Sequence, residues 1–231
     1  MSSYKDRVAK KLEIDPFLTY GNALADVLRE DIMSCGLKPG ERIREQEISD
    51  NADVSRTTVR KAFEILIYEG LLEREESQHL HVASIDQAYD RNLRDFRIMI
   101  EPTAAKYAAV RRRSKDLERM ERYLRIQLET KEPRTFIDAD MSFHEAVVKA
   151  TYNPYLISSV QTYINGIYRI KRYYAERVVG AFCRKMQAEH TAVYEAIVAK
   201  DAAAASMAAL KHVQIPYIKL FEDKYGRNKG D

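Results

Sequence analysis

The stretch VSRTTVRKAFEIL, residues 54–66, indicates the fold of the N-terminal part of the chain most directly. Ser55 stands where a helix N-cap is favoured, immediately before the first turn. The apolar residues that follow recur at helical spacing, and they are Val59, Ala62, Phe63 and Leu66. The stretch therefore predicts an amphipathic helix over 55–69, with a polar first turn and an apolar face that enters a core.

The segments on either side of this helix predict its neighbours in the fold. A helix over 20–35 precedes it, because apolar residues recur there at helical spacing and Gly36 follows them. A short helix over about 45–51 comes next, and two short strands over 71–74 and 80–83 come after the amphipathic helix. Three helices and a small hairpin in this order predict a winged helix-turn-helix.

The rest of the chain predicts an all-helical domain. Short connections separate six helical stretches, which run over about 86–112, 114–130, 133–150, 154–177, 181–199 and 201–223. Helices joined in this way pack antiparallel, so the fold class is mainly α, a winged helix-turn-helix followed by an antiparallel helical bundle. We expect four parts, an N-terminal tail at 1–19, the winged domain at 20–84, the bundle at 85–225 and a C-terminal tail at 226–231.

The composition excludes several classes of protein. No apolar run approaches the roughly 20 residues that span a bilayer, and the first residues lack the apolar core of a secretory signal. Cys35 and Cys183 are isolated, so neither a disulfide framework nor a thiolate metal cluster is indicated. These features are typical of a protein of the reducing cytoplasm.

The charge is divided unevenly along the chain. The formal net charge is +3, but residues 1–84 hold 12 basic against 16 acidic side chains and residues 85–231 hold 26 against 19. The predicted winged domain is therefore acidic, at −4, and the predicted bundle is basic, at +7. Any binding of nucleic acid by the first part has to depend on a few well-placed arginines.

The start of the helix over 55–69 carries residue types that bind DNA. Hydroxyl and backbone N–H groups at a helix N-terminus bind phosphate, and an arginine can hold the edge of a guanine. The polar side chains at or near this start include Ser55, Arg56, Thr57 and Arg60. Taken alone, the pattern is also that of an ordinary solvated helix start.

Three segments in series extend the pattern: PGERIREQEIS at 39–49, the helix start itself, and YEGLLERE at 68–75. Together they resemble the N-terminal domain of the GntR family of bacterial transcription regulators, over about residues 24–82. The resemblance implies a homodimer that reads a palindromic operator in double-stranded DNA. It implies that Arg56 and Arg60 make the main contacts with DNA. It also implies three supporting residues, which are Ser55, Thr57 and Thr58.

The sequence departs from the family pattern at three positions. Asp53 replaces the usual glycine of the helix-turn-helix turn, which aspartate tolerates because it can enter the left-handed region. His79 stands where the wing usually has a glycine, and we expect it to contact a phosphate instead, with His81 as the alternative. Gln46 occupies a position where some relatives use an arginine to contact DNA, so its role is open.

One carboxylate and three imidazoles are predicted to point into the core of the bundle. Asp140 and His144 lie four residues apart on the apolar face of one helix, and His190 and His212 each lie on an inward stripe of a later helix. Buried polar groups need partners, and a divalent metal ion bound by three nitrogens and one oxygen satisfies all four. Each histidine by itself could instead be a hydrogen-bonded core residue.

The same residues resemble the metal-binding ligand domain of the FadR-type subfamily of these regulators, called the FCD domain. Its D-x-x-x-H motif matches Asp140 and His144, its Asn-Pro matches residues 153–154, and its two later histidines match His190 and His212. The resemblance covers about residues 86–222. It implies a divalent metal, most often zinc, with nickel or another divalent ion as alternatives, and a small organic acid as the effector.

Three further residues are candidates for contact with the effector. Arg97 matches the cavity arginine of the FCD domain, which implies that it pairs with the effector carboxylate; the alternative is an ion pair with Glu101, one turn on. Asn165 and Arg169 belong to a polar stripe on the fourth helix of the bundle, whose other members are Ser158, Thr162 and Arg172. That stripe is either a solvated face, the preferred interpretation, or a cavity wall that selects a polyhydroxylated or dicarboxylic ligand.

These patterns support a DNA-binding transcription regulator, most simply a repressor, whose operator affinity a small carboxylate controls. A helical metalloenzyme is one alternative, because such a metal centre also suits hydrolysis. Against it, we find no further inward Glu, Lys or Tyr placed as a general base, and an enzyme gives no reason for residues 20–84. The other alternative is a regulator that senses the metal itself.

Overall fold

The computed structural model describes residues 3–75, 79–175 and 180–218, apart from the side chains of residues 161, 162 and 181. It divides the chain into two compact units, Met1–Ile85 and Asp86–Asp231. The first unit contains the predicted winged domain, and the second contains the predicted helical bundle.

The first unit is a winged helix-turn-helix with an additional helix in front. Its elements are α1 (Tyr4–Ile14), α2 (Tyr20–Met33), β1 (Arg42–Ile43), α3 (Glu45–Ala52), α4 (Arg56–Tyr68), β2 (Leu72–Arg74) and β3 (Leu80–Val82). The strands form an antiparallel sheet in the order β1-β3-β2, and side chains from every element share one apolar core. The amphipathic helix is confirmed as α4, because its predicted inward residues are buried and Ser55 is its N-cap.

The first residues form a helix where the sequence predicted a tail. Ser3 and Asp6 form a capping box at the start of α1, and Val8 is buried in the core of the unit. Arg7 reaches from α1 to the carboxylate of Asp31 on α2, at 2.7 Å. The prediction of a tail over 1–19 was wrong because α1 is mostly charged and has one buried residue, so its apolar periodicity is weak.

The sheet has a third strand that the sequence did not predict. β1 pairs with β3, with Arg42 opposite His81 and Ile43 opposite Leu80. Two residues are too few for an alternating pattern to be recognised. This strand joins the wing to the segment that enters α3, so it fixes the wing beside the helix-turn-helix.

The described residues of the second unit are mostly helical, including Tyr217 and Ile218, which confirms the mainly α fold class. Six helices lie over residues 87–213. They are α5 (Gln87–Arg111), α6 (Ser114–Glu129), α7 (Pro133–Lys149), α8 (Pro154–Tyr173), α9 (Ala181–Val198) and α10 (Ala202–Val213). α5 contacts α7, α8, α9 and α10 and is therefore the central helix. No helix in the described part of the chain combines the length and apolar character needed to cross a membrane.

Two helices of the second unit end earlier than predicted. α10 ends at Val213 rather than near 223, because Pro216 lacks an amide hydrogen and disfavours helical backbone at the residue before it. The backbone is helical again at 217–218. α8 ends at Tyr173 rather than near 177. Residues 176–179 and 219–231, which include the remainder of these predicted helices and the predicted C-terminal tail, lie outside the described residues.

Candidate DNA-binding surface and metal centre

The first turn of α4 lies at the surface of the first unit. Asp53, in the turn before α4, has a left-handed backbone with φ of 52°, which is the conformation that the family glycine usually supplies. The Ser55 hydroxyl accepts the amide of Thr58 and lies 2.9 Å from the Thr58 hydroxyl. The other candidate side chains of this helix are exposed, namely Arg56, Thr57 and Arg60. The helix N-terminus is therefore accessible to a phosphate.

Both arginines at the start of α4 are held by side chains of α3. Arg56 Nε donates to the amide oxygen of Gln46 at 2.9 Å, and Gln46 donates to Asp50 at 2.6 Å. Arg60 Nε donates to Glu45 at 2.8 Å. These pairs are exposed, so they contribute little to stability and can be exchanged for contacts with DNA. Gln46, whose role the sequence left open, orients Arg56 in the free protein.

A groove between the start of α4 and the wing concentrates positive charge. Its basic lining residues are Arg42, Arg44, Arg60, Arg74 and His79, and Glu45 and Glu64 also line it. The Nδ1 atom of His79 lies 2.9 Å from an Nη atom of Arg42. Residues 76–78, between the wing strands, lie outside the described residues. The acidic unit thus has a local basic surface beside the predicted recognition helix.

The four predicted metal-binding side chains meet inside the second unit. Asp140 and His144 lie on α7, His190 lies on α9 and His212 lies on α10, and all four are buried. One nitrogen from each of the three histidines lies within 4.8 Å of the others. Their inward direction, predicted from helical spacing, is confirmed.

Each of these histidines has its Nδ1 atom beside an oxygen that can accept a hydrogen bond. The pairs are His144 with Glu101 at 2.9 Å, His190 with Gln127 at 2.8 Å, and His212 with Glu189 at 3.0 Å. An acceptor at Nδ1 places the proton there and leaves Nε2 with its lone pair. All three rings are therefore set in the tautomer that metal binding through Nε2 requires.

The ligand atoms converge at spacings that suit one metal ion. Nε2 of His212 lies 3.2 Å from the Nε2 atoms of His144 and His190. Oδ1 of Asp140 lies 3.3 Å from His144 Nε2 and 3.4 Å from His190 Nε2, and it accepts no hydrogen bond from the described residues. Two atoms bound to one zinc ion at tetrahedral angles are about 3.3 Å apart. Lone pairs at this spacing repel unless a cation lies among them, so these residues fit a divalent metal.

Burial favours the neutral form of all three imidazoles, and in two of them it determines the direction of the pKa shift. It lowers the pKa of His190 to about 3, and together with the neighbouring histidines it holds the pKa of His212 well below its usual value. Burial acts in the same direction on His144, but Glu101 and Asp140 outweigh it and raise the pKa of that ring. His190 and His212 are therefore neutral at neutral pH, as metal ligation requires.

Arg97 is buried next to the metal centre and forms the ion pair that the sequence left as an alternative. Its Nε atom lies 2.5 Å from Glu101, and one Nη atom donates to the hydroxyl of Tyr217 at 3.3 Å. The other Nη atom has no hydrogen-bond partner among the described residues. Because Glu101 also holds His144, one carboxylate connects Arg97 to the metal centre, and the remaining N–H groups suit an acceptor on a ligand.

The polar stripe on α8 divides between the surface and the interior. Ser158 is exposed and Asn165 is half-buried, but Arg169 is 1% exposed. The guanidinium carbon of Arg169 lies 5.6 Å from the ring centre of Tyr89. The preferred interpretation of a solvated face was therefore wrong at Arg169. The expected contacts of Asn165 and Arg169 with a ligand stay predictions.

Two buried polar residues of the centre were missed by the sequence analysis. Lys171 is fully buried and donates to the second oxygen of Asp140, and Gln127 holds His190. Although burial opposes ionisation, Lys171 and the histidines hold the pKa of Asp140 far below its usual range. The sequence does contain a sign that both residues point inward, because each one interrupts an apolar stripe. The stripes are Ile164, Ile167 and Lys171 on α8, and Met120, Leu124 and Gln127 on α6.

A small cavity borders the three histidines. Its other lining residues are Glu101 and the apolar side chains Ala104, Ala105, Phe143, Val147, Val148, Val193 and Ala209. The free space is sufficient for little more than a water molecule. A ligand of several carbon atoms therefore needs a side chain to move before it can reach the centre.

Both units match known protein families. Residues 21–82 match the bacterial regulatory proteins of the gntR family, and residues 92–215 match the FCD domain. The second match alone covers more than half of the chain. The two matches fall on the two units into which the structure divides.

Curated proteins similar to the chain are transcription regulators. The Uxu operon transcriptional regulator of Escherichia coli K12 is 26% identical over 220 residues, with 85% of this chain and 84% of that protein covered. The galactonate operon transcriptional repressor of the same strain is 29% identical over 189 residues, with 72% and 81% covered. Among solved structures, E. coli McbR/YncC shares the fold with a TM-score of 0.72 at 18% identity, over 90% of this chain and 100% of that one.

Proposed function

The chain belongs to the gntR family of bacterial regulatory proteins and contains an FCD domain, and from this we propose that it is a homodimeric repressor controlled by a small carboxylate at a metal centre. The family and the curated relatives are transcription regulators, so the alternative of a metalloenzyme is set aside. The observation that carries the proposed control is the convergence of three Nε2 atoms and one Asp140 oxygen inside the second unit.

The first unit binds the operator through the start of α4 and the adjacent groove. Arg56 and Arg60 contact bases or phosphates, and the hydroxyls of Ser55, Thr57 and Thr58 bind phosphate at the helix N-terminus. His79 contacts a phosphate from the wing. Support comes from the exposure of these side chains and from the basic lining of the groove. In a two-fold dimer, two such units read a palindrome.

Alanine substitution at Arg56 and at Arg60 tests this surface. DNA fragments selected from the source genome by the wild-type chain serve as operators in fluorescence anisotropy titrations. Each substitution removes a charged contact, which is expected to weaken binding by about tenfold or more. Arg125→Ala is the matched control, since Arg125 is an exposed arginine of α6, and it should bind as the wild type does. Wild-type affinity in both α4 variants would exclude this surface.

The second unit binds the effector at a divalent metal held by Asp140, His144, His190 and His212. Zinc suits three imidazoles and one carboxylate, and nickel or another divalent ion fits the same donors. When bound, the metal supplies open positions for a carboxylate oxygen. The buried N–H groups of Arg97 pair with the ligand, and Asn165 and Arg169 orient its other polar groups. One relative is named for the galactonate operon, and galactonate, like the proposed effector, carries a carboxylate.

Binding of the effector changes the affinity of the dimer for its operator. Coupling between two such sites is typically about 1–3 kcal/mol. The chain runs from Ile85 directly into α5. The first turns of α5 include Tyr89, and its later turns include Arg97 and Glu101. A change in the position of α5 on ligand binding therefore reaches the end of the DNA-binding unit along one helix.

A further inference from the structure

Four charged side chains that are buried beside the three histidines cancel one another when no metal is bound. Arg97 and Lys171 each carry one positive charge, Glu101 and Asp140 each carry one negative charge, and all four are buried. Glu189, which holds His212, lies closer to the surface with Lys185 at 3.9 Å. A divalent ion therefore adds two positive charges to a buried group that is already neutral, and an uncompensated buried charge is costly.

The phenol of Tyr217 lies against both buried cations. Its hydroxyl is 3.3 Å from an Nη atom of Arg97. The centre of its ring is 5.6 Å from the guanidinium carbon of Arg97 and 4.9 Å from Nζ of Lys171. Tyr217 is itself buried, and the amide of the next residue, Ile218, donates to Asp90 on α5 at 3.3 Å. The neutral phenol thus lies beside two cations that are paired with Glu101 and Asp140, and an anion that displaced it would contact both cations.

We infer that Arg97 and Lys171 form one anion-binding site, in which Tyr217 stands when no ligand is bound, and that the effector is a dianion such as a dicarboxylate. The inference rests on the proposed function and adds the charge class of its ligand. A dianion restores the neutrality of the metal-loaded centre, whereas a monoanion leaves one buried positive charge. One acid group lies at the metal, and the other displaces the phenol to reach Arg97 and Lys171.

The space around the histidines agrees with this exchange. The cavity that borders them holds little more than a water molecule and is lined mostly by apolar side chains. A dicarboxylate of four to six carbon atoms is much larger than that, so a side chain has to leave. Displacement of Tyr217 supplies both the space and the two cations, and it also pulls on the contact between Ile218 and Asp90.

Matched pairs of acids test the inference. The full chain, loaded with zinc, is titrated calorimetrically with propionate and malonate, butyrate and succinate, and gluconate and glucarate, which differ within each pair by one carboxylate. At least one dicarboxylate should bind about tenfold or more tightly than its partner, because a second charge-assisted contact is made. Binding without this preference overturns the inference and leaves the proposed function in place. Binding of none of the six acids contradicts the carboxylate effector itself.

Three variants separate the role of each side chain. Lys171→Met removes one charge at similar size, so the preference for the dicarboxylate should fall to about twofold or less, while Lys171→Arg should keep it. Lys149→Met, at an exposed lysine of α7 paired with Glu145, should behave as the wild type. An unchanged preference in Lys171→Met would overturn the inference, provided that its zinc content is unchanged.

Tyr217→Phe gives an independent reading when a substitution at Lys171 fails to fold or to hold zinc. The phenylalanine ring keeps the packing but no longer competes for the Nη atom of Arg97. The dicarboxylate should therefore bind more tightly to this variant than to the wild type. Weaker binding would show that the hydroxyl assists the ligand instead of occupying its place.

Discussion

Glu101 is the residue through which the histidines and the buried arginine are joined. One of its oxygens accepts from Arg97 and the other lies 2.9 Å from Nδ1 of His144. Although burial opposes ionisation, Arg97 and His144 lower the pKa of Glu101 to about 2. Glu101 is therefore an anion at neutral pH, and it holds His144 in the tautomer that ligates a metal.

Replacement of this carboxylate should weaken the metal centre without removing a ligand. Glu101→Gln loses the charge that fixes His144, and changes of this kind typically cost about 10–100-fold in metal affinity. Competition with a chromophoric chelator measures the zinc affinity of the variant. Glu145→Gln, at a partly exposed glutamate of α7, is the matched control and should bind zinc as the wild type does. Equal zinc affinity in both variants would mean that Glu101 has no part in the centre.

The sequence could predict the histidines and Asp140 but not the residues that support them. Helical spacing determines which side chains of one helix face inward, and Asp140, His144 and His190 are buried as that rule requires. Which side chains meet across the core depends on how the helices pack, and spacing within one helix does not contain that information. Lys171 and Gln127 each interrupt an apolar stripe, which indicates an inward position, but their contacts with Asp140 and His190 form between helices and could not be predicted.

At the scale of the elements, α1 is the addition that the sequence did not predict, and Val8 is its one fully buried residue. Val8 is 2% exposed, whereas Ile14 at the end of the same helix is 75% exposed. Val8→Ala is expected to lower the free energy of unfolding by about 1–3 kcal/mol, through lost burial and a residual cavity. Ile14→Ala should change it by less than about 0.5 kcal/mol. Denaturant unfolding measures both, and equally small effects would show that α1 is not docked.

The elements that were predicted correctly are those with several buried residues at a regular period. α4 has four buried residues on one face and a serine cap, so both its existence and its start could be predicted. β1 has two residues and α1 has one that is buried, so neither leaves a pattern. The predicted extension of α10 failed because Pro216 interrupts the helix: the backbone is not helical at 214–216, although it is helical again at 217–218.

For the whole molecule, metal binding should appear as thermal stability of the second unit. A ligand that binds only the folded state stabilises it by about 2.7 kcal/mol when present at 100 times its Kd. Addition of zinc should therefore raise the Tm of the metal-free protein, and a chelator should reverse the change. His212→Ala removes one ligand and should abolish most of the increase. An increase of the same size in that variant would place the bound zinc elsewhere.

At the scale of the whole molecule, the proposed function explains why charge is distributed unevenly between the two units. Under the proposed function, the acidic first unit binds DNA through a local basic groove, and the basic second unit contains buried cations that bind an acid. Net charge alone would have assigned these two partners to the wrong units. The positions of single residues distinguish the two partners: Arg60 and Arg74 line the groove of the first unit, and Arg97 is buried in the second unit.

Titration of a selected operator with the zinc-loaded chain, with and without the acid that binds it best, tests the proposed control most directly. The wild type should lose operator affinity by about 5–150-fold when the acid is present. The variant Asp140→Ala/His144→Ala should still bind the operator, because its first unit is unchanged, but should not respond to the acid. An undiminished response in this variant, or operator binding by the wild type that follows zinc and ignores every acid, would contradict control by a carboxylate at the metal centre.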